Sequence, residues 1–97
     1  MKIIYALWCE NKKANIDKVW GAINLAEKKY VFFWGRRGGK LRVSKVRYTH
    51  IQDINQLAFE KMRSSGYKEY TGMLKEVYPG FEKDIEKIGI WMALKLD

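Results

Sequence analysis

Four segments in the first half of the chain show the alternation of apolar and polar residues that is typical of β-strands. They are rich in β-branched and aromatic side chains, and polar or glycine-containing turns separate them. The segments are residues 2–9, 18–26, 29–35 and 41–48. We therefore predict four successive strands before the chain changes its period.

The fourth segment changes phase in its middle. Leu41 and Val43 fall on one face of an ideal strand, whereas Val46 and Tyr48 fall on the other. We expect the strand to bulge or break near Ser44 if all of these apolar residues are to reach the core. The same irregularity would turn four basic side chains to solvent together. They are Lys40, Arg42, Lys45 and Arg47.

After residue 48 the apolar residues recur at helical spacing. Thr49 and Gln52 have the form of a capping box, and Gly66 is suited to end the helix in a left-handed conformation. The predicted apolar stripe of this helix consists of Ile51, Ile54, Leu57, Ala58 and Met62. We expect the stripe to pack on the sheet.

The end of the chain predicts two shorter elements. A second helix starts at Pro79 and has Phe81, Ile85 and Ile88 on one face. Residues 90–96 alternate again and suggest a final strand.

These elements define an α+β fold, with an antiparallel sheet of about four to five strands and one main α-helix packed on it. We interpret residues 1–97 as a single domain. Within it, residues 1–17 are expected to add an edge strand, with Trp8 in the core.

Composition describes a globular domain with an unusual charge. The chain has 97 residues, enough for one hydrophobic core, and its 47% hydrophobic content argues against intrinsic disorder. Lys and Arg number 19 and Asp and Glu 11, which gives a net charge of +8. Such an excess indicates a polyanionic partner, although a merely basic domain has the same composition.

Cysteine usage and hydropathy indicate the compartment. Cys9 is the only cysteine, so no intramolecular disulfide or cysteine-based zinc site can form, and a reducing compartment fits best. The apolar run at the N-terminus is short and is followed by charged residues, which is not typical of a signal peptide. No apolar stretch has the length to cross a bilayer. We expect a cytoplasmic or nucleoid-associated protein without a membrane partner.

Charge is segregated along the sequence. Residues 28–47 contain eight basic residues and no acidic one, whereas basic and acidic residues balance elsewhere. The eight are Lys28, Lys29, Arg36, Arg37, Lys40, Arg42, Lys45 and Arg47. This pattern favours phosphate binding, because each phosphate contact releases condensed counterions. A surface selected only for solubility would mix the two signs.

Trp34 admits two interpretations. It ends an aromatic strand, next to Gly35 and followed by Arg36 and Arg37. A tryptophan in such a place can stack on a sugar or base. It can equally be a lid on the core, with Arg36 packed on its ring.

Trp34-Gly35-Arg36, after an aromatic strand and before a glycine turn, resembles the signature of the WGR domain. That domain occurs in DNA-damage-responsive poly(ADP-ribose) polymerases and in small bacterial and viral proteins. Residues 18–27, 49–66 and 90–97 resemble the family's preceding strand, its helix and its last strand. The resemblance implies DNA binding, with Trp34 packing on a terminal nucleotide at a strand break and Arg36 contacting DNA or a neighbouring domain.

Catalytic chemistry has little support in the sequence. His50 lacks the partner that a general base needs, Cys9 lies in an apolar strand, and the acidic residues near position 84 alternate with lysines. We expect no enzymatic activity, no cofactor and no metal. The expected function is the binding of duplex DNA, with possible recognition of ends or nicks. An acidic protein partner and RNA remain alternatives. The expected contact residues are Trp34, Arg36, Arg37, Lys40, Arg42, Lys45 and Arg47.

Overall fold

The computed structural model describes residues 2–87, in which three long strands form an antiparallel meander. They are β1 (Lys2–Asn11), β2 (Ile16–Ala26) and β3 (Lys29–Arg36). Asn15 and Lys28 occupy left-handed positions at the two connections, with φ of 54° and 60°. Both strand pairs contain a register shift, between residues 3 and 5 of β1 and between residues 24 and 26 of β2.

The predicted fourth strand forms as two short pieces, as its change of phase indicated. β4 (Arg42–Val43) and β5 (Arg47–Tyr48) both pair with β3. Between them, the Ser44 amide donates to the Phe32 carbonyl at 2.9 Å, and the Ser44 hydroxyl accepts from the Phe32 amide at 2.9 Å. The break turns Leu41, Val43 and Val46 toward the core. Tyr48 does not reach the core and is 72% exposed.

At the opposite edge of the sheet, β6 (Lys68–Glu69) pairs with β1 at Trp8 and Leu7. The strand order is β4-β3-β2-β1-β6, with β5 also on β3. The N-terminal residues thus add a strand, as predicted, but at Leu7 and Trp8 that strand lies inside the sheet rather than at its edge. Trp8 is only partly buried, although it packs against the core.

Helix α1 (Ile51–Ser64) packs on one face of the sheet. Only part of the predicted stripe is covered, because Ile54 and Ala58 are buried while Ile51 and Leu57 stay exposed. The buried residues of this cluster are Leu7, Trp20, Ala22, Tyr30, Phe32, Ile54, Ala58 and Tyr67.

The predicted capping box of α1 is wrong. His50, not Thr49, occupies the N-cap, and no side chain caps the helix. The Thr49 amide donates to the Lys28 carbonyl at 3.0 Å, which keeps Thr49 in the edge of the sheet. Its hydroxyl donates to the Asp53 carboxylate instead. At the other end Gly66 has φ of 71°, the left-handed conformation expected of it.

The opposite face of the sheet is covered by the segment after β6. It contains a 3-10 turn (Thr71–Met73), helix α2 (Leu74–Val77) and helical residues 81–87. Phe81 and Ile85 are buried, as predicted for the second helix, while Ile88 and the strand predicted over residues 90–96 lie outside the described residues. The buried cluster here is Ala6, Val19, Ile23, Val31, Phe33, Tyr70, Tyr78, Phe81 and Ile85.

The α+β class predicted from the sequence is confirmed, with helices on both faces of the sheet instead of one. Among residues 2–87, the helices are too short and too polar to cross a lipid bilayer.

Candidate nucleic-acid interface

Trp34 lies on the face of the sheet that carries α1. Tyr30 and Phe32, which share its phase along β3, pack in the α1 cluster. Trp34 is 39% exposed, so it lies beyond the cover that α1 provides. Its cross-strand neighbours are Trp20 of β2 and Arg42 of β4. The exposed indole of Trp34 therefore lies between the buried indole of Trp20 and the guanidinium of Arg42.

In the part of the chain described, no cationic side chain lies over the ring of Trp34. The Arg37 guanidinium lies 4.6 Å from the Trp8 ring centroid, and the Lys61 ammonium lies 5.2 Å from that of Trp20. No such contact exists at Trp34 among residues 2–87. The lid with Arg36 packed on it, one of the two interpretations of Trp34, is therefore not the arrangement observed.

Arg36 is directed away from Trp34 by the turn between β1 and β2. Its Nη1 donates to the Asn15 carbonyl and its Nη2 to Asn15 Oδ1, each at 3.1 Å. The left-handed Asn15 is a neutral partner, so it orients the guanidinium without cancelling its charge. The Arg36 side chain stays exposed, and its remaining N–H groups can donate to a phosphate.

Gly35, between Trp34 and Arg36, leaves room for the chain to fold back after β3. Its φ is 148°, and a Cβ built there would lie 2.8 Å from the Lys40 carbonyl oxygen. The chain folds back over Gly35 in the turn after β3, where the Gly39 amide donates to the Arg36 carbonyl at 2.9 Å. Glycine at this position permits the tight return that sets Arg42 beside Trp34.

Arg37 is separated from the other predicted contact residues. It lies on the opposite face, where its guanidinium pairs with Glu10 at 3.2 Å and Asp17 at 3.0 Å. It also donates to the Val77 carbonyl at 2.7 Å. Its charge is therefore neutralised within the protein, and its donors hold the N-terminal hairpin and α2 together.

The remaining predicted residues lie along the edge formed by β4 and β5, and all of them are exposed. They are Lys40, Arg42, Lys45 and Arg47. Arg47 leans over the Phe32 ring at 5.7 Å from its centroid, on the Trp34 side of the sheet. None of the four, nor Arg36, forms an ion pair among residues 2–87.

Two further cations lie on the same face and were missed by the sequence analysis. Lys18 is the cross-strand neighbour of Arg36, and Lys61 projects from α1 over Trp20. Lys18 has the same phase along β2 as Trp20, and Lys61 follows Ala58 by three residues. Those spacings place Lys18 on the Trp34 face of the sheet and Lys61 near the buried side of α1. Only the packing of α1 on the sheet brings the two together.

Among residues 2–87, no group of His, Cys, Asp and Glu side chains is arranged to hold a metal ion. Burial raises the pKa of Tyr70 and, together with a hydrogen bond to Asp84, raises that of Tyr78 to about 12. Both phenols lie in the cluster opposite Trp34 and stay neutral at physiological pH.

Comparison of the chain with models of known protein families, with curated proteins and with solved structures finds no match.

Proposed function

We propose that this domain binds duplex DNA without catalysing a reaction, and that it prefers ends and nicks. The observation that carries the proposal is the exposed Trp34 ring. Within the described residues no cation covers this ring, and the guanidinium groups that border it form no ion pair. We call this surface, made of Trp34, Arg36, Lys40, Arg42, Lys45 and Arg47, the Trp34 surface.

The affinity of the Trp34 surface is electrostatic in origin. Its five basic residues are exposed. Arg36 ends β3, and the other four lie along the edge of the sheet formed by β4 and β5. Phosphate contacts of this kind release counterions and carry little sequence information. We therefore expect weak sequence specificity and, from these residues with about five contacts, a contribution of roughly −4 to −5 to the log–log slope of affinity against salt.

Trp34 provides the preference among DNA forms. An indole can stack only on a base or sugar that is not already stacked within the helix. Such faces are available at a duplex end or a nick, whereas an uninterrupted duplex offers none. The resemblance of Trp34-Gly35-Arg36 to the WGR signature supports the same role for the indole.

The test is a fluorescence titration against DNAs of one sequence at two salt concentrations. The ligands are a hairpin-capped duplex, a blunt duplex, a nicked duplex, a single strand and an RNA duplex of equal length. Trp34→Ala is compared with Phe59→Ala, which removes another exposed aromatic ring, from the outer side of α1.

We expect nicked and blunt duplexes to bind more tightly than the capped duplex. Trp34→Ala should remove that difference, at a cost of about 1–3 kcal/mol of binding free energy, and Phe59→Ala should not. Equal or tighter binding of the RNA duplex or the single strand would contradict the duplex-DNA assignment. Absence of binding at low salt would overturn the proposal and direct the search to an acidic protein partner.

A further inference from the structure

Two lysines outside residues 28–47 converge on one aromatic ring, on the same face as Trp34. Lys18 Nζ lies 5.5 Å from the centroid of the Tyr67 ring, and Lys61 Nζ lies 5.8 Å from it. Within residues 2–87 neither ammonium group forms an ion pair. We propose that Lys18 and Lys61 form a phosphate-binding subsite, an inference that rests on the proposed function and extends it.

The end of α1 builds this subsite. Gly66 reverses the chain with its positive φ, so that Tyr67 packs back into the cluster beneath the helix. The Tyr67 amide donates to the Lys61 carbonyl at 3.4 Å, which keeps the ring beside the lysine of the preceding turn. Tyr67 itself is buried, so its ring is a fixed wall beside which both ammonium groups lie.

The charges at this end of the sheet repel one another. Lys18 lies directly opposite Arg36 in the β2–β3 ladder, and like charges in that relation are destabilising. Lys61 adds a third cation through the shared Tyr67 ring. A bound phosphate relieves this repulsion and interacts with all three charges at once, because Coulomb energies add. The arrangement is therefore suited to an anion.

The position of the subsite determines the direction in which the nucleic-acid backbone runs relative to the strands. Arg42 lies on the β4 side of Trp34, and Lys18 and Lys61 lie on the β2 side. Strands two apart in a sheet are separated by about 10 Å. The nucleic-acid backbone thus crosses the strands, and the nucleotide stacked on Trp34 has cations on both sides for the phosphates that flank it.

The test measures the salt dependence of nicked-duplex binding for charge-removing variants. Lys18→Gln and Lys61→Gln are made singly and together, with Lys18→Arg and Lys61→Arg as charge-preserving partners. Lys83→Gln is the matched control, because Lys83 is exposed on the helical segment that covers the opposite face. Thermal melting of every variant verifies that it is folded at the temperature of the titration.

We expect each Gln variant to reduce the steepness of the salt slope by about 0.9, and the double variant by about 1.8. The Arg variants and Lys83→Gln should keep the wild-type slope. If the wild type binds and the Gln variants keep its slope, the subsite is overturned while the proposed function stands. If the wild type does not bind, the proposed function fails first, and the subsite with it.

Discussion

Arg36 and Arg37 are neighbours in the sequence, yet the sheet directs them to opposite faces with different partners. Arg36 is oriented by the neutral Asn15 and keeps its charge exposed. Arg37 is held by Glu10 and Asp17, and its guanidinium also covers a tryptophan ring. An arginine is thus available to a ligand on one face, at Arg36, and is part of the internal structure on the other, at Arg37.

The difference between the two arginines shows how a basic segment has to be interpreted. Eight basic residues occur between positions 28 and 47, but those with intramolecular carboxylate partners do not contribute to an anion-binding surface. The availability of charge depends on where the acidic residues lie, and Asp17 reaches Arg37 from β2. Within residues 2–87, the cations around Trp34 on the α1 face have no ion-pair partner, whereas Arg37 on the opposite face pairs with two carboxylates.

The largest expected effect is a loss of stability of the sheet itself, which carries both faces. A Cβ at Gly21 would lie 2.2 Å from Phe33 Cζ and 2.5 Å from the Tyr5 carbonyl oxygen. Because overpacking of this kind forces the strands apart, Gly21→Ala should lower the free energy of unfolding by about 3 kcal/mol. Urea denaturation followed by circular dichroism measures it. Gly72→Ala, whose Cβ would meet nothing within 4 Å, is the control and should leave stability nearly unchanged.

The next effect is confined to the face of Arg37. Arg37→Ala removes the ion-pair partner of Glu10 and Asp17 and uncovers Trp8, so it should destabilise the fold by about 2 kcal/mol. Affinity for duplex DNA, measured well below the melting temperature, should not change. A loss of affinity as large as that of Arg36→Ala would abolish the distinction between the two faces.

Arg36→Ala should produce the reverse result. Its hydrogen bonds to Asn15 are exposed, so the free energy of unfolding should change by no more than about 0.5 kcal/mol. The steepness of the salt slope of duplex binding should fall by about 0.9, as expected for one lost phosphate contact. Melting curves and titrations of the two arginine variants, run side by side, provide the check. A stable Arg36→Ala protein with the wild-type salt slope would contradict the assignment.

The last effect is a pH dependence that appears only above pH 10 and belongs to the face of Arg37. Burial and the hydrogen bond to Asp84 raise the pKa of Tyr78 to about 12, compared with 10.0 for a free tyrosine. Because the unfolded chain loses this proton first, stability is retained below pH 10 and falls between pH 10 and about 12. The melting temperature of Tyr78→Phe should fall less steeply over that interval. Parallel pH profiles of the two proteins would exclude a role for Tyr78.

Much of the fold was accessible from the sequence because it depends on local periodicity. Three long strands, the break at Ser44 and the left-handed Gly66 each follow from residue spacing or from glycine chemistry. The segment between α1 and residue 81 was not predicted. Its two-residue strand β6 and one-turn helix α2 are too short for any period to appear, so the burial of Tyr70 and Tyr78 could not be foreseen.

The candidate site was less predictable, since it depends on contacts between distant residues. The sequence indicated the basic segment and left two interpretations of Trp34, which only the direction of the Arg36 side chain distinguishes. Arg37 could not be separated from Arg36 without knowing that Asp17 lies beside it. Lys18 and Lys61 are 43 positions apart in the sequence and meet only where α1 ends on the sheet.

The most direct test compares the indole N–H resonances of Trp34 and Trp8 during an NMR titration with a short nicked duplex. Trp8 Nε1 donates to Asp17 at 3.0 Å on the face of Arg37, so its resonance is an internal control within the same molecule. We predict that the Trp34 resonance and the backbone amides of residues 34–47 shift progressively with DNA, while the Trp8 resonance stays in place. Shifts at Trp8 without shifts at Trp34 would place the interface on the wrong face and contradict the account.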